Sequence, residues 1–311
     1  MKKIKILVLG CNSFLGYNFT KKIIKNNNFV LLGTINKNST RIKNDKKTRN
    51  FKNFIKYNPI LHKKKLIKIL NDFKPNVIIN FIGNSNFFDK SKKLQVLKNY
   101  NTFKNILKSI DLSNINIDHF FNIGTSQEYQ HSLLAIKESS KLNPLSEYAK
   151  SKLKCHKYGI KWSNKKKINF TTLRAFNVIG NDKFKKNIIL KLIELKPKEK
   201  FTLYQYNAVR DFIFIDDFIS ILIKIILNYK IINYNTINIG TGVPIKMSYL
   251  IQTLSMFLNK ELNNNIIIQK KIKLNSNFAN INRLKKIIYL KKFRSFDKIL
   301  KKIIEFQSKK I

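Results

Sequence analysis

Residues 4–16 read Ile4-Lys5-Ile6-Leu7-Val8-Leu9-Gly10-Cys11-Asn12-Ser13-Phe14-Leu15-Gly16. A short aliphatic run closed by a glycine predicts a β-strand buried on both faces. Met1-Lys2-Lys3 ahead of it gives a superficial likeness to a signal peptide, but an apolar stretch of about five residues is too short for one. Gly10 permits a tight turn, and Gly16 lets the following helix pack close on the strand. The free N–H groups at the start of that helix then face a pyrophosphate. In loops of the form G-x-x-G-x-x-G the middle glycine lets backbone approach phosphate. Here that position is Ser13, which is small and can itself donate a hydrogen bond. Gly10, Asn12, Ser13, Phe14, Leu15 and Gly16 are therefore candidate cofactor-binding residues, although the loop alone also reads as an ordinary strand-to-helix turn.

Outward from this loop the alternation repeats. Phe29–Ile35, Val77–Ile82 and His119–Ile123 have strand length, and helix-period stretches lie at Phe14–Lys25, His62–Phe73 and Ser91–Ile110. Pro75-Asn76 marks a stop between helix and strand. The pattern predicts an α/β fold, a doubly wound parallel (Rossmann) sheet whose ligands bind beyond the carboxyl ends of its strands. After Leu173 the order loosens into short pieces such as Phe201–Tyr204, a helix over Asp216–Asn228, a strand at Thr236–Ile239 and another near Ile266–Gln269. We read residues 1–175 as the dinucleotide-binding domain and 176–311 as a smaller α+β substrate-binding portion. About residues 212–240 are expected to return to the main sheet.

The end of the second strand selects the cofactor. An acid there would bind the adenine ribose hydroxyl of NAD, whereas basic residues accommodate the 2′-phosphate of NADP. The run Gly33-Thr34-Ile35-Asn36-Lys37-Asn38-Ser39-Thr40-Arg41 holds no acid. Asn36, Lys37 and Arg41 are candidates, and NADP is favoured over NAD.

Tyr148-Ala149-Lys150-Ser151-Lys152 sets a tyrosine and a lysine on one helix face, one turn apart. A neighbouring ammonium favours the phenolate and brings a tyrosine toward useful proton transfer. In so lysine-rich a chain the spacing alone decides nothing, but its surroundings do. Phe121-Asn122-Ile123-Gly124-Thr125-Ser126-Gln127-Glu128-Tyr129 precedes it, and Leu173-Arg174-Ala175-Phe176-Asn177-Val178-Ile179-Gly180 follows. Arg210-Asp211-Phe212-Ile213-Phe214-Ile215-Asp216-Asp217 and Asn238-Ile239-Gly240-Thr241-Gly242 come next, in that order.

With the glycine loop, these segments resemble the extended short-chain dehydrogenase/reductase family, the NAD-dependent epimerase/dehydratase group acting on nucleotide sugars. The resemblance runs to about Gly242. It implies that Tyr148 exchanges a proton with a sugar oxygen, that Lys152 holds the nicotinamide ribose and depresses the tyrosine pKa, and that Thr125 hydrogen-bonds the same oxygen. It places Ser126, Asn177 and Arg210 at the substrate, the last two on its diphosphate, and matches Asn99 to a structural asparagine. It also implies a homodimer. Asn80-Phe81-Ile82-Gly83 and Gln130 depart from the family pattern.

Family dehydratases carry an acid and a base directly after the threonine; here Ser126 and Gln127 stand there. Gln127 cannot abstract a proton, and Glu128, one position later, faces away if the segment is extended. The expectation is NADPH reduction of a nucleotide-linked 4-keto-6-deoxyhexose, with sugar epimerisation as the alternative. A family member without catalysis, binding cofactor or nucleic acid, is the alternative of another class.

Composition bounds the rest. A chain of 311 residues, 43% hydrophobic, holds one large α/β domain plus a smaller portion. No apolar run reaches the roughly 20 residues of a membrane span. Cys11 and Cys155 form neither a disulfide framework nor a metal cluster, so a cytoplasmic enzyme without metal is expected. The formal net charge is +45. That would suit nucleic acid, but the lysines are spread along the chain beside abundant Asn and Ile, which share A/T-rich codons. Nucleic acid is therefore not the expected partner; the positive field suits an anionic nucleotide.

Overall fold

In the computed structural model, which describes residues 2–36, 42, 45, 48, 51–84, 91–180, 188–196, 198–203, 206–268 and 275–308, Ile4–Leu9 forms strand β1. It lies inside a seven-stranded sheet with β2 (Phe29–Ile35), β3 (Phe54–Lys56), β4 (Val77–Asn80), β5 (His119–Thr125), β6 (Asn169–Ala175) and β11 (Thr236–Ile239). The order is β11-β6-β5-β4-β1-β2-β3, and every pair is parallel. The chain leaves β1 toward β2 in one direction and resumes at β4 in the other. The crevice between the ends of β1 and β4 is therefore the switch point where such sheets bind ligands.

The strands alternate sides, and so does the core. Ile6, Val8, Ile79 and Phe121 point to one face, where α1 (Phe14–Ile23) packs with α5 (Ile215–Leu227), and the same core continues into α6 (Met247–Leu258) and α7 (Phe296–Ser308). Leu7, Leu9, Ile78 and Phe120 point to the other, against α2 (Lys63–Phe73), α3 (Thr102–Asp111) and α4 (Glu147–Lys166). A π-helical stretch, Val96–Asn101, leads into α3. Capping explains where α4 begins: Ser146 accepts a hydrogen bond from Ala149 N at 3.1 Å, and Glu147 sits in the first turn.

The doubly wound parallel sheet read from the sequence is the fold observed. Several ends move. The strand at Val77 stops at Asn80, whose Oδ1 accepts from Ile82 N at 3.0 Å and turns the chain. The strand at His119 runs on to Thr125. Helix α5 starts at Ile215, one residue before the expected Asp216, with Phe214 as its cap residue and Asp216 and Asp217 in the first turn. Tyr204 and Gln269 lie outside the described residues.

Beyond β6 the chain adds small pairings at the carboxyl edge of the main sheet. β7 (Asn177–Ile179) pairs with β10 (Phe212–Phe214), and β8 (Phe201–Leu203) with β13 (Ile266–Ile268). β9 (Val209–Arg210) lies between β12 (Ile245–Lys246) and β14 (Ser276–Asn277). Asp211 ties this region together. Buried, it accepts from Thr241 N, Thr241 Oγ1, Gly242 N and Ala279 N at 2.6–3.1 Å.

Candidate active site

The glycine loop closes tightly at the switch point. Gly10 has φ +83°, and a Cβ there would lie 3.0 Å from Ile82 N. A Cβ on Gly16 would come within 2.3 Å of Gly10 O, so only glycine lets α1 start this close to β1. Ser13 caps α1, its Oγ accepting from Gly16 N at 3.1 Å. Thr34 Oγ1 accepts from Gly10 N at 3.1 Å, and Asn12 Oδ1 accepts from Asn36 N at 3.4 Å. Phe14 is buried and Leu15 half-buried.

A cleft of about 420 Å³ opens here, lined by Gly10, Asn12, Ser13, Asn36, Gly83 and Asn84 among others. A helix N-terminus, glycines that admit no side chain and a polar rim fit a dinucleotide. Lys37 and Arg41 lie outside the described residues.

The far side of this cleft leads to the tyrosine–lysine pair on α4. Lys152 is buried, and its Nζ would lie 3.6 Å from a Cβ placed on Gly83. Burial lowers its pKa, with Cys155 and Glu128 opposing. Asn99, in the π-helical stretch, fixes α4 to the loop after β4. Its Nδ2 donates to Ser151 Oγ at 2.9 Å and Gln95 Oε1 at 3.0 Å, and its Oδ1 accepts from Asn84 N at 2.7 Å. π-Helical insertions often mark functional sites; this one points an asparagine between two site segments.

Tyr148 is half-buried, and Glu128 and Thr125 are among the groups that act on its phenol. The phenol is held above its ordinary pKa, first by burial and then by Glu128, while Thr125 works against both. This differs from the expected depression by Lys152, which is not among the groups that act on the phenol here. Residues Ser126–Glu128 form a 3₁₀ turn, not an extended segment. Glu128 consequently turns inward and is fully buried, accepting from Thr125 N at 3.0 Å and from Arg174 Nε at 2.9 Å. The Arg174 guanidinium lies 4.4 Å from the Tyr129 ring centroid, and Tyr129 donates to Asn238 Oδ1 at 2.8 Å.

Of the residues expected at the substrate, Ser126 is buried, and its carbonyl accepts from Asn277 Nδ2 at 3.2 Å. Asn177 Nδ2 donates to Asp211 O at 3.0 Å. Arg210 Nη1 donates to the carbonyls of Val209 and Asn275 at 2.8 and 2.7 Å, and burial pushes its pKa down to about 10. Asp211, next in the chain, is filled by four donors, and Asp216 lies 3.5 Å from Lys302. Sequence reading missed the inward course of Glu128, the partners of Asn99, and Asn277, which β14 brings into register with Arg210. Of these, only Glu128 left a signal, as the last residue of a T-x-x-E capping pattern.

A doubly wound sheet with a glycine loop at its switch point and a tyrosine–lysine pair on one helix defines a dinucleotide-binding α/β protein. Residues 6–240 match the NAD dependent epimerase/dehydratase family, and the chain belongs to that family. It is 28% identical over 163 residues to an uncharacterized protein of Methanocaldococcus jannaschii, covering 47% of this chain and 44% of that protein; the chain thus spans less than half the length of that relative. Among solved structures it is similar to a UDP-glucuronic acid 4-epimerase of Bacillus cereus, at 21% identity and TM-score 0.87 over 99% of this chain and 100% of that one. It is also similar to a dTDP-glucose 4,6-dehydratase of Bacillus anthracis, at 18% identity and TM-score 0.82 over 98% and 97%. Among the described residues no helix is long and apolar enough to cross a membrane.

Proposed function

We propose that this chain is an NADPH-dependent reductase acting on the C4 ketone of a nucleotide-linked 4-keto-6-deoxyhexose. The observation that carries the reading is the turn after β5. Where a dehydratase needs a carboxylate base, Gln127 has none, and the Glu128 carboxylate is committed to Thr125 N–H and Arg174. The raised pKa of Tyr148 supports the same direction, since a phenol that stays protonated enters the reaction as an acid.

When bound, the nicotinamide supplies the hydride. The side chains of this protein do the rest. Lys152 holds the nicotinamide ribose, and Asn99 keeps its helix against the loop after β4. The hydroxyls of Thr125 and Tyr148 grip the ketone oxygen, and Tyr148 passes it a proton. Ser126, Asn177 and Arg210, with the portion from residue 176 onward, hold the nucleotide diphosphate; a guanidinium's planar fork suits that group. The absence of an acid after Ile35, with Lys37 and Arg41 following, supports NADP over NAD.

Sugar 4-epimerisation is the second reading, favoured by the likeness in fold to a UDP-sugar 4-epimerase. Incubation of the purified chain with NADPH and a panel of nucleotide-linked 4-keto-6-deoxyhexoses separates the two. Net NADPH consumption is expected. None with any of these sugars would overturn the reductase. Tyr148→Phe is expected to lower turnover about 100- to 10,000-fold with NADPH affinity unchanged; surviving activity would remove Tyr148 as the acid.

A further inference from the structure

Strands buried on both faces of a parallel sheet are normally apolar throughout. β4 and β5 break that rule at one level: Asn80 and Asn122 are register partners on neighbouring strands, 2% and 1% exposed. Alternation puts both on the face that α4 covers, with Ile78 and Phe120. Asn80 Nδ2 donates to Asn122 Oδ1 at 2.9 Å, and Asn80 Oδ1 accepts from Ile82 N at 3.0 Å. Asn122 Nδ2 has no partner among the described residues. A buried donor left unpaired is a cost, and two apolar side chains of the same size would avoid it. Polar groups that break a local pattern at the ligand edge of such a sheet are expected to serve the ligand.

Their effect falls on the chain that follows β4. Phe81, Ile82, Gly83 and Asn84 all line the cofactor cleft. One end of this wall is held by Asn80 through Ile82 N, and the other by Asn99, whose Oδ1 accepts from Asn84 N at 2.7 Å. Between these anchors the wall meets both halves of the site. Ile82 N would lie 3.0 Å from a Cβ on Gly10 of the glycine turn, and Lys152 Nζ would lie 3.6 Å from a Cβ on Gly83. With so little space on either side, a small shift of the wall changes the width of the cleft at its Lys152 end. Asn99 belongs to the pattern that the resemblance supplies, whereas Asn80-Phe81-Ile82-Gly83 departs from it. The second anchor is therefore a feature of this chain.

We propose that Asn80, braced by Asn122, is a positioning residue for the cofactor: it fixes the cleft wall from Phe81 to Asn84 against which the nicotinamide half of the dinucleotide lies, beside Lys152. The inference rests on the reading that Lys152 holds the nicotinamide ribose, and on nothing said of the sugar or of the direction of hydride transfer.

The test separates the two halves of the cofactor by calorimetric titration of the full chain with NADPH and with 2′,5′-ADP, its adenosine half alone. NADH and ADP are run beside them, so that the result does not depend on the 2′-phosphate. The double variant Asn80→Leu/Asn122→Leu exchanges the polar pair for an apolar one of similar size. Its Tm is expected to be unchanged or higher, because neither partner is left unpaired. Affinity for the dinucleotides is expected to fall about tenfold, with affinity for the adenosine halves within about twofold of the unaltered chain. Should the double variant fail to fold, Asn122→Leu carries the test: it keeps the bond from Ile82 N to Asn80 and removes only the brace, for a loss of about threefold on the dinucleotides alone. Dinucleotide affinity that is unchanged, or that falls in step with the adenosine halves, would overturn the proposal, the second result marking a general loosening of the sheet. An unaltered chain that binds neither NADPH nor NADH would overturn the cofactor reading and this inference with it. No sugar is present, so each of these outcomes is distinct from a failure to consume NADPH.

Discussion

Two turns leave the carboxyl edge of the same sheet, one after β1 and one after β5, and they are built on opposite principles. The turn after β1 is made of glycine and small neutral side chains. Ser13 caps it, and nothing charged is buried in it. The turn after β5 has the same cap logic, with Thr125 in place of Ser13, but beneath it lies a buried carboxylate–guanidinium pair. A loop that must admit a diphosphate needs bare backbone N–H groups and no competing anion. A turn with no phosphate to admit can tolerate an anion beneath it, provided that anion is paired.

This contrast ranks the expected effects of substitution. Arg174→Met leaves Glu128 buried alone and is expected to cost about 3–5 kcal/mol of stability. The double variant with Glu128→Gln should recover most of it; equal losses in a urea titration would break the account of the pair. The β5 side also contains two buried histidines held neutral. Burial pushes His119 down to about 4 and His156, beside Arg174, down to about 3. Their unfolded forms take up protons near pH 6.5, so the unfolded state binds more protons between that pH and the folded values. Stability should therefore fall as pH drops from about 6.5 toward 4, by a few kcal/mol. A Tm that is flat over this window would contradict the burial of these rings.

On the β1 side the effects are smaller and fall on ligand binding. Gly16→Ala forces a Cβ against Gly10 O and is expected to cost about 1–3 kcal/mol. NADPH affinity should fall at least tenfold, read by fluorescence titration. Ser13→Ala removes only the cap, about 1 kcal/mol, with a correspondingly small change in affinity. A larger loss of affinity than of stability would mean that the Ser13 hydroxyl donates to the phosphate.

What could be read beforehand follows the same division. Ile4–Leu9 and the glycines around Ser13 announce themselves because buried parallel strands are continuous apolar runs and tight turns need glycine. Tyr148 and Lys152 are legible through their spacing on α4. Phe54–Lys56 gave no signal, since three residues at a sheet edge are too few for a pattern. Glu128 was misplaced because an extended segment was assumed, whereas Thr125-Ser126-Gln127-Glu128 is a capping pattern that bends the chain inward. Asn277 joins the site through the pairing of β14 with β9, a long-range contact that no local pattern encodes. The roles of Ser126, Asn177 and Arg210 depend on how the second half folds back over the first.

The most direct measurement uses NADPH deuterated at its transferable position, incubated with the protein and a nucleotide-linked 4-keto-6-deoxyhexose. The account predicts that the label appears on C4 of the sugar, one deuterium for each NADPH consumed, and that Tyr148→Phe suppresses the transfer. A nucleotide sugar inverted at C4 without label and without loss of NADPH would contradict it.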